Sequence, residues 1–341
     1  MPRRARLLAM IMAGGRGERL QPLTRERSKS AVPFGGRHRL VDFVLSNFVN
    51  SDMPSLYVLV QYKAQSLIEH LRLAWRTSGM LPDFFVTVVP PQMRVGAAWY
   101  RGTADAVVQN LNLIDDFSAD VVAVFGSDHV YRMDVNQMLA FHQEAGADAT
   151  IAARPVPIED APQFGVLGVD HTGRVVRFDE KPAKPTPLPD DPQRALVSMG
   201  NYIFSRQPLV DALVADARRS TDHDFGRSII PEMVPSGRVY SYDFQKNEVP
   251  GVSRTRSSRT GATSAPSRAT GRRIWTSWAS PRVSTSTTAC GRSVARTTPA
   301  PRRASWAATS TTPRWARARS SSARRSAIRS SAGRCGSTRA P

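Results

Sequence analysis

Short apolar runs recur along the first 250 residues, separated by stretches with helical spacing. "LLAMIMA" (residues 7–13) is apolar at every position, the pattern of a strand covered on both faces, and it ends in a glycine turn. "LYVLV" (56–60), "FFVTVVP" (84–90) and "DVVAVFGSD" (120–128) repeat that pattern. Between them, "QSLIEHLRLAW" has helical spacing. "TADAVVQNLNLIDDF" (103–117) predicts one helix, with Ala106, Val107, Leu111 and Ile114 near one stripe and Thr103 as its cap. "MDVNQMLAFHQEAG" predicts a helix closed by Gly146. "ATIAARPV", "FGVLGVD", "RVVRFDEKP" and "LVSMGNYIF" read as strands, the middle two joined by a turn through Gly173. Strand–helix alternation of this kind predicts an α/β, Rossmann-like domain with a mixed, mostly parallel sheet covered on both faces. Ligands bind such sheets at the carboxyl ends of their strands. No internal repeat is present.

Composition changes this picture at one place. The chain carries 47 basic and 28 acidic residues, a net charge of +19. From Gly251 onward there are 19 arginines, no lysine and no acid, so the whole excess lies in residues 251–341 and the first 250 residues are balanced. The same segment has no Leu, Phe, Tyr or Met and holds both cysteines, Cys290 and Cys335. Too little apolar surface is present there to offset chain entropy, so a disordered Arg/Ser/Thr/Ala-rich tail is expected after a domain at 1–250. The cysteine-free head fits a reducing compartment. No apolar run reaches the length of a membrane span. The start, "MPRRARLLAMIMAGG", has the basic-then-apolar order of a signal peptide, but its apolar part is short and a buried first strand is the expected reading.

Three polar clusters fall where strands end. "AGGRGERL" places Gly14, Gly15 and Gly17 in a turn whose amides can form an anion nest, with Arg16 and Arg19 adding charge for phosphate. It matches neither the P-loop nor the dinucleotide spacing, and alone it is also an ordinary turn. "FGSDHVY" puts Asp128 just past a strand, where a carboxylate either holds Mg²⁺ or simply caps a loop. "FDEKPAKP" pairs Glu180 with Lys181, an acceptor for sugar hydroxyls beside a cation for phosphate, or a solvated turn. His38, His70, His129, His142, His171 and His223 show no metal-ligand spacing. Together the clusters suggest an enzyme that joins a nucleotide to a phosphorylated sugar.

The blocks "MAGGRGERL", "AVPFGG", "RLVDFVLSN", "WYRGTADAVVQNL", "GSDHVYRMD", "PVPIEDAPQFGVLGVD", "EKPAKP", "SMGNYIF" and "HDFGRSIIPEM" resemble, in order, those of the bacterial glucose-1-phosphate adenylyltransferases. The resemblance covers residues 7–250 and implies the reaction of ATP with α-D-glucose 1-phosphate to give ADP-glucose and pyrophosphate, in the cytoplasm, for glycogen synthesis. It implies that Gly14, Gly15, Arg16, Gly17 and Arg19 hold the ATP phosphates with Lys29 close by. It puts Trp99, Gly102 and Asp105 near the nucleotide. Tyr100, Gly165, Glu180, Lys181 and Ser198 would bind glucose 1-phosphate, with Lys181 on its phosphate. Asp128 would be the Mg²⁺ ligand, and Arg16, Asp128 and Lys181 the catalytic set. Two departures stand out. Ser30 replaces a proline usual in the family, which predicts a less rigid loop. Glu26 stands near a lysine that serves activator sugar phosphates in some members, which puts that control in question.

The family continues past "VPG" into a segment containing Tyr-Trp-Arg-Asp-Val-Gly-Thr, whereas this chain continues "VSRTRSSRTGATSAPSRATG". With one permitted codon chosen per residue for 259–271 and the first two bases dropped, the triplets read Tyr-Trp-Arg-Asp-Val-Gly-Thr-Ile-Glu-Gly-Tyr-Trp. With one base restored, 252–256 can read Val-Lys-Pro-Tyr-Glu-Glu. A one-base deletion near Ser253 in a GC-rich gene accounts for the tail's composition. A tail selected to bind RNA or DNA is the competing reading: it would bind salt-sensitively and without specificity, and Trp275, Trp278, Trp306 and Trp315 could stack on bases. It lacks regular repeats or a folded motif, so nucleic-acid binding is not expected. In the shifted frame the family's second Mg²⁺ carboxylate is lost, as is the C-terminal β-helix that helps build the family's homotetramer. Weak or absent activity, and no assured tetramer, follow for this chain. A non-catalytic nucleotide- or sugar-phosphate-binding subunit is the alternative.

Overall fold

The computed structural model describes residues 5–75, 83–93 and 99–250. The expected tail at 251–341 lies outside the described residues.

The first strand, β1 (Leu7–Ala13), is buried along nearly its whole length, as its uninterrupted apolar run requires. Its side chains alternate between two cores. Leu8 and Met10 enter one cluster, and Leu7, Ala9, Ile11 and Ala13 enter the other. A two-stranded ribbon, β2 (Pro33–Phe34) and β3 (His38–Arg39), then leads into α1 (Leu40–Asn50), β4 (Ser55–Val60), α2 (Gln65–Ala74) and β5 (Phe85–Val89). These are followed by α3 (Thr103–Val108), α4 (Leu111–Phe117), β6 (Val121–Gly126), α5 (Val135–Glu144) and β7 (Ala149–Pro157). The hairpin β8 (Gly165–Val169) and β9 (Val175–Glu180) precedes β10 (Arg194–Ser205), α6 (Arg206–Ala217), α7 (Ile230–Ser236) and β11 (Val239–Asp243).

Among the described residues the strands form a nine-stranded sheet in the order β11-β7-β10-β6-β1-β4-β5, with β8 on β10 and β9 on β8. The run β5-β4-β1-β6 is parallel, and so is the β11–β7 pair. The long β10 runs antiparallel between β6 and β7, so the sheet is mixed. Helices α1, α2 and α5 cover one face, and α3, α4, α6 and α7 cover the other. Phe48 of α1 and Phe125 of β6 meet edge-to-face at 4.8 Å, both fully buried. Truncating such an aromatic to alanine costs about 3–5 kcal/mol.

One expected element differs. The helix read at 103–117 is two helices, because Asn110 leaves the helical conformation at φ −125°, ψ 22°. Its buried side chain bonds back to the Ala106 carbonyl at 2.8 Å and also reaches the Tyr100 hydroxyl at 3.0 Å. An asparagine bonding backwards in this way competes with the backbone ladder. Nor does Thr103 cap the helix: Gly102 holds that position, and the Thr103 hydroxyl donates to Asp224 instead.

Candidate active site

β1 and β6 run parallel and end side by side, and each delivers one half of the first polar cluster. After β1, Gly15, Arg16 and Arg19 are exposed while Gly14 is half-buried. Gly17 has φ 67°, and a β-carbon there would lie 2.8 Å from Cβ of Lys29. Both the left-handed conformation and the close approach require glycine. The turn is tied to the lysine segment by Lys29 N–H donating to Gly15 O at 3.3 Å, and to Thr24 by its hydroxyl on Gly17 O at 2.8 Å. Arg16 extends over the Tyr62 ring, 5.8 Å from its centre.

After β6, Asp128 stands half-exposed with its carboxylate 2.8 Å from Lys29 Nζ and 3.2 Å from His129 Nδ1. Desolvation works against the charged form here, but the His129 hydrogen bond and the Lys29 charge outweigh it and hold Asp128 well below the usual carboxylate range. The carboxylate is therefore an anion at neutral pH with a cation already against it. That is the chemistry of a hard-metal ligand, and the Lys29 ammonium occupies the cation's side of it as a stand-in. Among the described residues no three His, Cys, Asp or Glu side chains gather into a metal cage. A divalent cation at Asp128 would draw its remaining oxygens from water and phosphate, as Mg²⁺ does.

A second cluster forms where β8 and β9 meet. Gly165 pairs with Glu180 across that hairpin, and Lys181 Nζ donates to Glu180 Oε1 at 2.5 Å. Lys181 sits at φ 51°, a strained conformation for a side-chain-bearing residue, and its N–H is fixed to Phe164 O at 3.0 Å. Glu180 Oε2 is flanked by two glycines: added β-carbons would lie 2.9 Å away at Gly165 and 2.7 Å away at Gly226. Ser198 is buried at a bulge in β10, where its hydroxyl accepts from Gly200 N–H at 3.0 Å. Gly200 O lies 3.9 Å from where a β-carbon on Gly126 would stand, so this bulge borders the Asp128 turn.

Tyr100 is tied to the first of these clusters. Its carbonyl accepts from Gln61 Nε2 at 3.1 Å, and Gln61 in turn packs against Gly14. Trp99 is exposed beside it. Asp105 is 1% exposed and spends its carboxylate inside the protein, on Arg101 N–H, Arg101 Nη2 and Gln109 Nε2, each at 2.9 Å. It shapes the turn that presents Trp99 and Tyr100. Gly102 is pressed against the His223 carbonyl, which a β-carbon would approach to 2.2 Å.

Several contributors escape the sequence reading. Gly226 is one; Asp224 is another, since it accepts from Thr103 Oγ1 at 2.9 Å and from Gly226 N–H at 2.9 Å. Gly226 lies in, and Asp224 caps, a π-helical turn, Phe225–Ile229, a form that recurs at functional sites. The local signal was the glycine after "HDF". Two histidines outside these clusters are held by internal hydrogen bonds: His70 bonds Asp42 at 2.8 Å, and the buried His142 bonds Thr150 at 2.8 Å, its pKa pushed down to about 4 by burial.

A Rossmann-like sheet with a glycine turn after its first strand and an acid after a neighbouring strand is the frame of a nucleotidyl-transfer domain. The nucleotidyl transferase family profile matches residues 8–279, and the chain belongs to that family. Among curated proteins it is 56% identical over 248 residues to a glucose-1-phosphate adenylyltransferase of Thermodesulfovibrio yellowstonii, covering 72% of this chain and 60% of that one. It is 57% identical over 249 residues to one from an Anaeromyxobacter species, at 72% and 60% coverage, and 52% identical over 251 residues to one from Thermus caldophilus, at 72% and 61%. The chain thus spans about 60% of the length of these relatives. No helix among the described residues is long and apolar enough to cross a membrane.

Proposed function

We propose that residues 1–250 are the adenylyl-transfer domain of a glucose-1-phosphate adenylyltransferase, with ATP and α-D-glucose 1-phosphate as substrates and a cytoplasmic role in supplying ADP-glucose for glycogen. A phosphate oxygen of the sugar phosphate attacks the α-phosphorus of ATP. The bond to the β-phosphate oxygen breaks, and pyrophosphate leaves. Little covalent chemistry is asked of the protein, so positioning and charge neutralisation carry the rate. The amides of the Gly14–Gly15–Arg16–Gly17 turn, with Arg16, Arg19 and Lys29, take the ATP phosphates. Trp99 and Gly102 line the nucleotide end, with Asp105 holding their turn. Glu180 accepts from sugar hydroxyls, and Lys181 meets the sugar's phosphate. Tyr100, Gly165 and Ser198 shape the pocket wall. A Mg²⁺ ion on Asp128, when bound, neutralises the phosphates at the reacting centre.

The single observation that carries this reading is the pairing of an open, exposed glycine turn beside Lys29–Asp128 with a closed cradle that fixes Glu180 beside Lys181. One end suits a polyphosphate and the other a hydroxylated ligand bearing one phosphate. The names of the relatives supply ATP and glucose 1-phosphate as the specific pair.

We further propose that residues 251–341 are read one base out of frame. The motive is the abrupt loss of acids, lysines and large apolar residues after Gly251, together with the family block recovered in the neighbouring frame. The chain as written then lacks the family's second metal carboxylate, and its activity is weak or absent. Pyrophosphate release from ATP, glucose 1-phosphate and Mg²⁺ tests both claims when the written chain is compared with a one-base-restored version. Rescue by the restored base is expected. Equal and full activity of the written chain removes the frame reading, and no release from either removes the adenylyl-transfer reading.

A further inference from the structure

Ser30 and Ser127 meet in the interior directly behind the Lys29–Asp128 pair. Their hydroxyl oxygens are 2.6 Å apart, and the two residues are 2% and 0% exposed. Ser127 Oγ also lies 2.7 Å from the Met12 carbonyl oxygen, which can only accept. The Ser127 proton therefore goes to Met12, and the proton between the serines belongs to Ser30. The result is a one-way chain, Ser30 to Ser127 to Met12. Ser127 N–H reinforces it by donating to the same carbonyl at 3.3 Å.

Each member adjoins a working residue. Ser30 follows Lys29, Ser127 precedes Asp128, and Met12 stands one residue before the glycine turn begins after Ala13. The turn carrying Lys29 is otherwise held by its own bonds, Ala31 N–H to Ser28 O and Val32 N–H to Lys29 O at 3.1 Å each, by the link to Gly15, and by Ser28 N–H to Lys63 O and Arg39 Nη1 to Ala31 O at 3.3 Å each. Among the described hydrogen bonds, only the Ser30–Ser127 bond and the Lys29–Asp128 pair itself join that turn to the Asp128 turn.

We propose that Ser30 is a positioning residue, whose hydroxyl, through Ser127, holds the Lys29 ammonium against the Asp128 carboxylate. Where the family's proline stiffens this turn by fixing the backbone, the serine here anchors it by a hydrogen bond to the turn that carries Asp128. The reading of Lys29 and Asp128 as phosphate and metal groups gives the device its purpose, but the contact itself is independent of turnover.

The test measures that contact in the full-length protein. Limited acetylation with an N-hydroxysuccinimide ester, followed by peptide mass spectrometry, gives the Lys29 labelling rate relative to Lys246, whose side chain is 82% exposed. Ser30→Ala should raise the ratio about two- to fivefold, the scale of one partly exposed ion pair. Ser127→Ala should do the same, and the double variant no more than either alone, since both cut one chain. Ser30→Thr, which keeps the hydroxyl, should restore the ratio. An unchanged ratio in Ser30→Ala, or additive effects in the double variant, overturns the proposal. A uniform rise at all lysines also overturns it, by marking general loss of fold. No outcome depends on catalysis, so failure of the adenylyl-transfer reading shows separately, in pyrophosphate release.

Discussion

A methyl group added to Gly15 meets no atom within 4 Å, whereas one added to Gly226 would lie 2.7 Å from Glu180 Oε2. Gly15 and Gly226, at the two ends of the candidate site, are glycine for opposite reasons. At the end proposed for the nucleotide, Gly15 leaves space open, so that backbone amides and the cations around them can face a polyphosphate, while Gly17 beside it is packed against Lys29. At the end proposed for the sugar, Gly165 and Gly226 close space and press on one carboxylate so that it has one place to be. The first arrangement recognises charge with loose geometry. The second recognises shape, which is where discrimination between sugars has to come from, because hydroxyl patterns differ in position rather than in charge.

The strongest challenge to this division is Asp128→Asn. It sits at the nucleotide end, yet it should abolish turnover in the frame-restored protein by on the order of a hundredfold or more, with Mg²⁺-dependent ATP binding lost as well. Retained turnover would remove Asp128 from the reacting centre. Next is Gly226→Ala, which displaces Glu180. The KM for glucose 1-phosphate should rise on the order of tenfold while ATP binding stays as it was, the cost of a small misplacement at a fitted site. A matching loss of ATP affinity would mean the two ends are not separable. Gly15→Ala should do the reverse, weakening ATP about fivefold by obstructing one amide contact, with Tm and the sugar-phosphate KM unchanged. A lowered Tm there would show that the open space is an illusion of the ligand-free turn.

The smallest effect should touch both ends alike. His142 is buried and neutral, with Thr150 and Ser205 on its two ring nitrogens, and burial pushes its pKa down to about 4. The unfolded chain takes up a proton at this residue near pH 6.5, before the folded protein does, so its contribution is present above that pH and is lost as pH falls toward 4. Denaturant unfolding at pH 5.5 should show about 1 kcal/mol less stability than at neutral pH from this group, and His142→Gln should flatten that slope. An unchanged slope in the variant would assign the acid sensitivity elsewhere.

Local features of this site were legible in the sequence. The glycine turn, the acid after β6 and the Glu180–Lys181 pair are each contiguous, and each sits where an apolar run stops. What escaped was tertiary. Ser30 and Ser127 are 97 positions apart, and Thr103 and Asp224 are 121 apart, so no window of sequence contains either pair. The helix break at Asn110 is instead a local miss: its side chain bonds to Tyr100 and Ala106, ten and four positions back, contacts that apolar spacing does not show. The serine in place of the family's proline read as a loss of rigidity, because its bonding partner, Ser127, lies far along the chain in the turn after β6. Asp105, read as lying near the nucleotide, is buried and bonded to Arg101 and Gln109, which helix spacing alone does not reveal.

The central claim is adenylyl transfer to glucose 1-phosphate, and product analysis tests it most directly. The frame-restored protein is given equal ATP, UTP, GTP and dTTP with glucose 1-phosphate and Mg²⁺, and the sugar nucleotides formed are identified by mass spectrometry. The account predicts ADP-glucose as the dominant product, with an equal amount of pyrophosphate. Formation of another sugar nucleotide in its place, or of none, would contradict it.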